Sequence, residues 1–280
     1  MLLTNLDTNR YKRFFSFGCS FTNYFWPTWA DIIGRQIDHY ENWGKGGAGN
    51  QFIFNSLIEC HRRNKFTKED LVVVMWTSCS REDRYVNNEW LVAASENREE
   101  IYGKEWMKKF GQQSKGLMIR DFAVIDASQK LLDSFGCDWL NLCSLPLIRF
   151  DFEKAEQDIK KNYITLDEIE NRWCKQQLSL SEGGSYRDHY LTDIDVVDLY
   201  KDIFTKIKRP LYEIVRKNKP RPNFGDQHPS PLEALSYINE VVDNNLDVLE
   251  YCNHWNDIVF NIKNKSSIPV KFFRPAPIRF

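Results

Sequence analysis

The apolar run Phe14-Phe15-Ser16-Phe17 predicts a short buried strand that leaves through the small residues Gly18-Cys19-Ser20. Apolar positions at helical spacing over residues 29–37 predict a helix opening near Pro27, a residue tolerated in a first helical turn. A second short strand is expected at 39–42, then the glycine-rich stretch Gly44 to Gly49 and an amphipathic helix over 51–63. Leu71-Val72-Val73-Val74-Met75-Trp76 has the continuous apolar character of a strand buried on both faces. Residues 80–116 turn polar and irregular around Asn87-Asn88, with a short helix expected near 99–110. A helix over 121–135 and a fourth strand over 138–142 follow.

Strands alternating with helices imply right-handed crossovers and a parallel sheet covered on both faces. Between residues 146 and 222 this alternation fails. Charged helices are expected at 152–162 and 166–178, and a helix interrupted near Pro210 at 196–217. The length suits an inserted helical cap better than a loop. Pro229-Ser230-Pro231 opens a last helix through 244, and a proline-containing extended tail covers 264–280. The whole is expected to form one α/β domain over 1–280.

Charge and composition narrow the function classes. The 38 basic and 39 acidic residues nearly cancel, so no global field attracts nucleic acid or an anionic membrane. Seven cysteines without regular spacing argue for reduced thiols in a cytoplasmic protein and against a disulfide framework. Cys60-His61 and the Cys252/His254 pair do not complete a metal set, and no metal or other cofactor is expected. Met1 to Lys12 lacks the apolar core of a secretory signal, and no apolar run nears the roughly 20 residues that span a bilayer.

The candidate chemistry lies at two distant places. Ser20 stands at the carboxyl end of the first strand, where open α/β sheets place ligands. Gly-x-Ser in such a place is ordinarily a plain turn, but Asp226-Gln227-His228-Pro229 supplies what an active serine needs, a base and a carboxylate to orient it. The competing base is His189, beside Asp188, within the expected insertion. Cys19 is the alternative nucleophile, although a small buried side chain is its simpler role. The glycine stretch lacks the Gly-Lys-Ser/Thr ending of a phosphate loop, yet its backbone N–H groups can bind an oxyanion.

Taken in order, Gly18-Cys19-Ser20, the loop at Gly47 to Asn50, the strand end Trp76-Thr77-Ser78 and Asp226-Gln227-His228 resemble the SGNH/GDSL hydrolase superfamily. The resemblance covers most of the α/β core but neither the 146–222 segment nor the tail. It implies a flavodoxin-like three-layer sandwich with a central parallel sheet of about five strands. It implies Ser20 as nucleophile, His228 as base, Asp226 as orienting carboxylate, and the N–H groups of Gly47 and Ser20 as oxyanion donors, with Gly49 the alternative glycine. Two departures stand out. The usual Asp-x-x-His is shorter here by one residue, and Ser78 replaces the third-block asparagine. Ser78, Thr77 and the Asn50 amide are the candidate substitutes, and Arg81 and Trp76 the candidate substrate contacts. For Arg81 and Arg84 the plainer expectation is a surface ion pair with Glu82 and Asp83.

These readings lead to a serine-dependent hydrolase of short, acetyl-type esters on a carbohydrate or similar polar substrate, acting through acyl-Ser20. An O-acyltransferase with the same site, or a binding module whose site has decayed, are the alternatives.

Overall fold

The computed structural model describes residues 1–93, 98–111, 114–147, 199–217 and 226–262. The strands in chain order are β1 (Asn5–Leu6), β2 (Arg13–Phe17), β3 (His39–Asn42), β4 (Asp70–Trp76), β5 (Glu82–Val86), β6 (Glu89–Ala93), β7 (Asp138–Cys143), β8 (Ile207–Pro210) and β9 (Asp243–Asn244). Five of them make a parallel sheet in the order β3-β2-β4-β7-β8. Counted along the chain, this is the second-first-third-fourth-fifth order of flavodoxin-like folds.

Because alternate side chains of a strand face opposite ways, β4 feeds two cores at once. Leu71, Val73 and Met75 join Phe14, Leu140 and Leu142 under α1 (Trp29–Gly34). Val72, Val74 and Trp76 join Phe15, Phe17 and Trp139 under α2 (Asn50–Asn64) and α3 (Ser114–Phe135). The α1 face also carries α4 (Pro231–Val241), through Ala234, Leu235, Tyr237 and Ile238, and Cys252 of α5 (Leu249–Asn261). Each large aliphatic side chain so buried contributes about 1.5–3 kcal/mol. Helices on both faces of one sheet make the three layers.

Local chemistry sets the helix ends. Thr28 caps α1 and Ser230 caps α4, each in a reciprocal box with the acidic residue three positions on, Asp31 and Glu233. Lys65, at φ 51°, ends α2.

Three stretches differ from the pattern expected of the sequence. The polar excursion after β4 contains a β5–β6 hairpin turning on Asn87 and Asn88, both at positive φ (51° and 64°), as a two-residue hairpin turn requires. The helix expected at 196–217 is instead a short helix, Lys201–Phe204, then the edge strand β8, then a second helix, Tyr212–Lys217. Pro210 ends that strand at the sheet edge, the position where a missing N–H is tolerated. Helix α5 occupies a stretch to which the sequence pattern assigns nothing. The helices expected at 152–162 and 166–178 and the tail at 264–280 lie outside the described residues.

Gly18, where β2 leaves the sheet, has no room for a side chain. A Cβ there would stand 2.0 Å from Thr22 Oγ1, 3.0 Å from Thr22 Cβ and 3.1 Å from the Met75 carbonyl oxygen. Gly18→Ala is therefore expected to lower stability by about 1–3 kcal/mol. A urea midpoint equal to that of the unaltered protein would show that the turn beneath Ser20 is not tightly packed.

Candidate active site

Two loops far apart in sequence meet at the carboxyl edge of the sheet. The first leaves β2 as a tight turn, in which the Cys19 carbonyl accepts from Thr22 N (2.9 Å) and Asn23 N (3.2 Å), and Ser20 stands partly exposed on it. The second, residues 226–230, ends at the capped start of α4. Across them His228 Nε2 lies 2.8 Å from Ser20 Oγ, and His228 Nδ1 lies 2.7 Å from Asp226 Oδ1. A carboxylate can only accept, so Nδ1 carries the proton and Nε2 is left to accept from the serine hydroxyl.

The short Asp-x-His spacing has a clear geometric solution. Asp226 Oδ1 turns back on its own loop and accepts both the His228 backbone N–H (2.8 Å) and the ring Nδ1–H. Oδ2 accepts the hydroxyl of Tyr24. The Tyr24 ring also stacks on the His228 imidazole, with centroids 3.7 Å apart and planes 16° from parallel. Phe21 closes in at 5.3 Å, and Trp26 donates its indole N–H to the Pro229 carbonyl at 2.7 Å. Burial raises the Asp226 carboxyl pKa, but the donors from His228 and Tyr24 outweigh it and hold the group well below the ordinary carboxylate range. The Asp226 side chain is 6% exposed and that of His228 26%, so the imidazole can be reached while its carboxylate is covered.

The glycine loop lies against the serine turn. Lys45 N donates to the Gly18 carbonyl (3.0 Å), Asn23 Nδ2 to the Gly44 carbonyl (2.9 Å) and Asn42 Nδ2 to the Thr22 carbonyl (2.8 Å). Gly47 adopts φ +80°, a conformation that favours glycine. Among the described residues, neither the Gly47 nor the Ser20 N–H has a protein acceptor.

The remaining sequence candidates are placed differently. Gly49 N is engaged by Asp83 Oδ1 (2.8 Å), and Phe52 N by Asp83 Oδ2 (2.9 Å), so Asp83 caps α2 from the hairpin. Asn50 is fully buried and closes both groups of Thr77: its amide donates to the Thr77 carbonyl and to Asp121 Oδ2, 2.8 Å each, and its Oδ1 accepts from Thr77 N at 2.9 Å. With both amide hydrogens held, Asn50 fastens the end of β4 and has no donor left for an oxyanion. The Thr77 hydroxyl is buried without a partner, and Ser78 Oγ lies 2.8 Å from Ser80 Oγ. Trp76 is fully buried, its indole N–H on Asn141 Oδ1 (3.1 Å), so it lines the core and offers no face to a substrate. Cys19 is likewise fully buried, its thiol 3.5 Å from Ser144 Oγ. His189 lies outside the described residues.

The expected ion pairs of Arg81 and Arg84 need correction. Arg84 does pair with Glu82 (3.1 Å), but Arg81 is 6% exposed and makes no ion pair among the described residues. Among the described residues six cysteines are free and buried, and no group of three His, Cys, Asp or Glu side chains is placed to hold a metal. Among the described residues no helix is long and apolar enough to cross a membrane. No family model, curated protein or solved structure matches the chain.

Sequence reasoning missed Tyr24, Trp26 and Asp83. The run Tyr24-Phe25-Trp26, so close behind Ser20, was the available signal for an aromatic wall around an imidazole.

The depressed Asp226 carboxyl contributes stability that is complete above the ordinary carboxylate pKa of about 3.9 and is lost as pH falls toward its folded-state value. Tyr24→Phe keeps the ring stack and removes one donor to a charged acceptor, a loss of about 1.5–3 kcal/mol. Its acid unfolding is expected to begin at higher pH than in the unaltered protein. Superimposable acid curves would take Tyr24 out of the network.

Proposed function

We propose that this chain is a serine-dependent ester hydrolase. The observation that carries the proposal is the unbroken chain of hydrogen bonds from Ser20 through His228 to Asp226, together with N–H groups of Ser20 and Gly47 that no described residue engages. A serine hydroxyl becomes a nucleophile when a neighbouring imidazole takes its proton, and the ester oxyanion then needs donors already in place.

In this mechanism Ser20 Oγ attacks the ester carbonyl carbon while its proton passes to His228 Nε2. The carbonyl π pair moves onto oxygen, which the Ser20 and Gly47 N–H groups receive. His228, now an imidazolium held by Asp226 and stacked on Tyr24, gives its proton to the departing alkoxide as the C–O bond breaks. Water then attacks acyl-Ser20, His228 takes its proton, and collapse of the second tetrahedral adduct returns a proton to Ser20 and releases the acid. A short, acetyl-type acyl group on a carbohydrate or similar polar alcohol is the proposed substrate. An alcohol in place of that water would make the same site an O-acyltransferase.

One observation favours a second reading, a binding module with a decayed site. No side-chain amide reaches the oxyanion position from β4, since the Asn50 amide is engaged and Ser78 has only a short hydroxyl facing Ser80. Loss of one such donor ordinarily costs about 10²- to 10³-fold in kcat.

A fluorophosphonate probe separates the two. The unaltered protein is expected to be labelled at Ser20 and Ser20→Ala not at all, with labelling of His228→Ala slower by about 10²-fold or more. Absence of labelling in the folded, unaltered protein would favour the decayed site.

A further inference from the structure

Among the described residues, Arg81 is a buried charge with no ion-pair partner. Both neighbouring carboxylates are committed elsewhere: Glu82 binds Arg84 (3.1 Å) and Arg120 (2.8 Å), and Asp83 caps α2. The guanidinium makes one bond, from Nη1 to the Ala48 carbonyl at 2.8 Å, and Nε is buried with no partner. Other guanidinium groups of this chain show what the arrangement lacks. Arg13 grips Asp70 with Nε and Nη2, each at 2.7 Å, and Arg120 holds Glu82 and Asp121. Their side chains are 28% and 25% exposed, yet the more deeply buried Arg81 has no acid among the described residues. A buried cation without a partner is strongly unfavourable, so its retention calls for an anion that the described residues do not supply.

The position ties that anion to the proposed site. Ala48 follows Gly47, the proposed oxyanion donor, and a Cβ on Gly49 would stand 2.9 Å from Arg81 Cβ, so the guanidinium stem lies directly beneath the glycine loop. Val92 of the hairpin approaches the outer side of that loop, 3.5 Å from where a Gly47 side chain would begin. We propose that Arg81 is the anion-recognising group of the site and that the ester substrate carries a carboxylate. This rests on the hydrolase reading for the word ester, but the anion site itself does not. Arginine suits the task because its planar fork matches a carboxylate and it stays charged at any working pH.

The test compares phenyl acetate and para-nitrophenyl acetate with esters bearing a carboxylate on the alcohol side, para-acetoxybenzoate, or on the acyl side, mono-para-nitrophenyl succinate. The unaltered protein is expected to favour at least one charged ester over its neutral counterpart. In Arg81→Gln that preference should fall by about 10- to 100-fold, mostly through KM, with Arg81→Lys intermediate. Equal kcat/KM for charged and neutral esters, or an equal fall for both in Arg81→Gln, would overturn the proposal and leave Arg81 as a support of the loop. Thermal melts with and without succinate keep the two readings apart. If no ester is cleaved but succinate raises the Tm of the unaltered protein and not that of Arg81→Gln, the anion site stands and the hydrolase falls. With neither cleavage nor a succinate shift, both fall. Circular dichroism of each variant confirms that it is folded.

Discussion

Parallel strands deliver all their carboxyl ends to one edge, and this constraint organises the molecule. The chain leaves β2 toward α1 on one face and β4 toward α3 on the other, so a crevice must open between the two exits. The backbone released there has no strand partner, and side chains have to satisfy it. Asn50 does so for both groups of Thr77, Asn42 bridges Thr22 and Gly44, and Asp83 supplies α2 with the cap that Gly49 cannot. The floor of the crevice is rigid because these bonds leave it few alternatives.

Buried carboxylates on the same edge are driven in opposite directions. Asp83 and Asp121 are pushed up to about 6, in each case chiefly by burial and only partly relieved by their donors. Asp226 feels burial too, yet a ring N–H, a backbone N–H and a phenol all point at it and keep it ionised. What separates them is the deeper burial of Asp83 and Asp121 together with the three donors aimed at Asp226. Only the carboxylate facing the imidazole is held as a permanent anion, which is what fixes the tautomer of His228.

Much of this was legible in the sequence. The strands β2, β3, β4 and β7 announce themselves through apolar runs or their flanking turns, and the match of Ser20 with Asp226 and His228 follows from the residue types each needs. Strand β8 does not, because Ile207-Lys208-Arg209-Pro210 has no apolar run and, as an edge strand, does not need one. The β5–β6 hairpin is polar because it lies over a loop and not in the core, so only its Asn87-Asn88 turn carried information. Asp83 and Arg81, two positions apart on paper, both lie against Gly49, yet Asp83 is taken up by the N–H groups of Gly49 and Phe52 and Arg81 by the Ala48 carbonyl.

The bonds joining the two loops have a consequence for the order in which the protein becomes competent. Ser20 and His228 are 208 residues apart, Tyr24 and Asp226 are 202, and Trp26 and Pro229 are 203. At about 5–20 residues per second, a ribosome reaches His228 some 10–40 s after Ser20. Until then the turn at Ser20 has no proton acceptor, and the face of α1 that α4 will cover is bare. The chemistry proposed for Ser20 would thus wait on the late arrival of α4, and a nascent chain stalled before it would present apolar surface to chaperones with the loop pair unassembled.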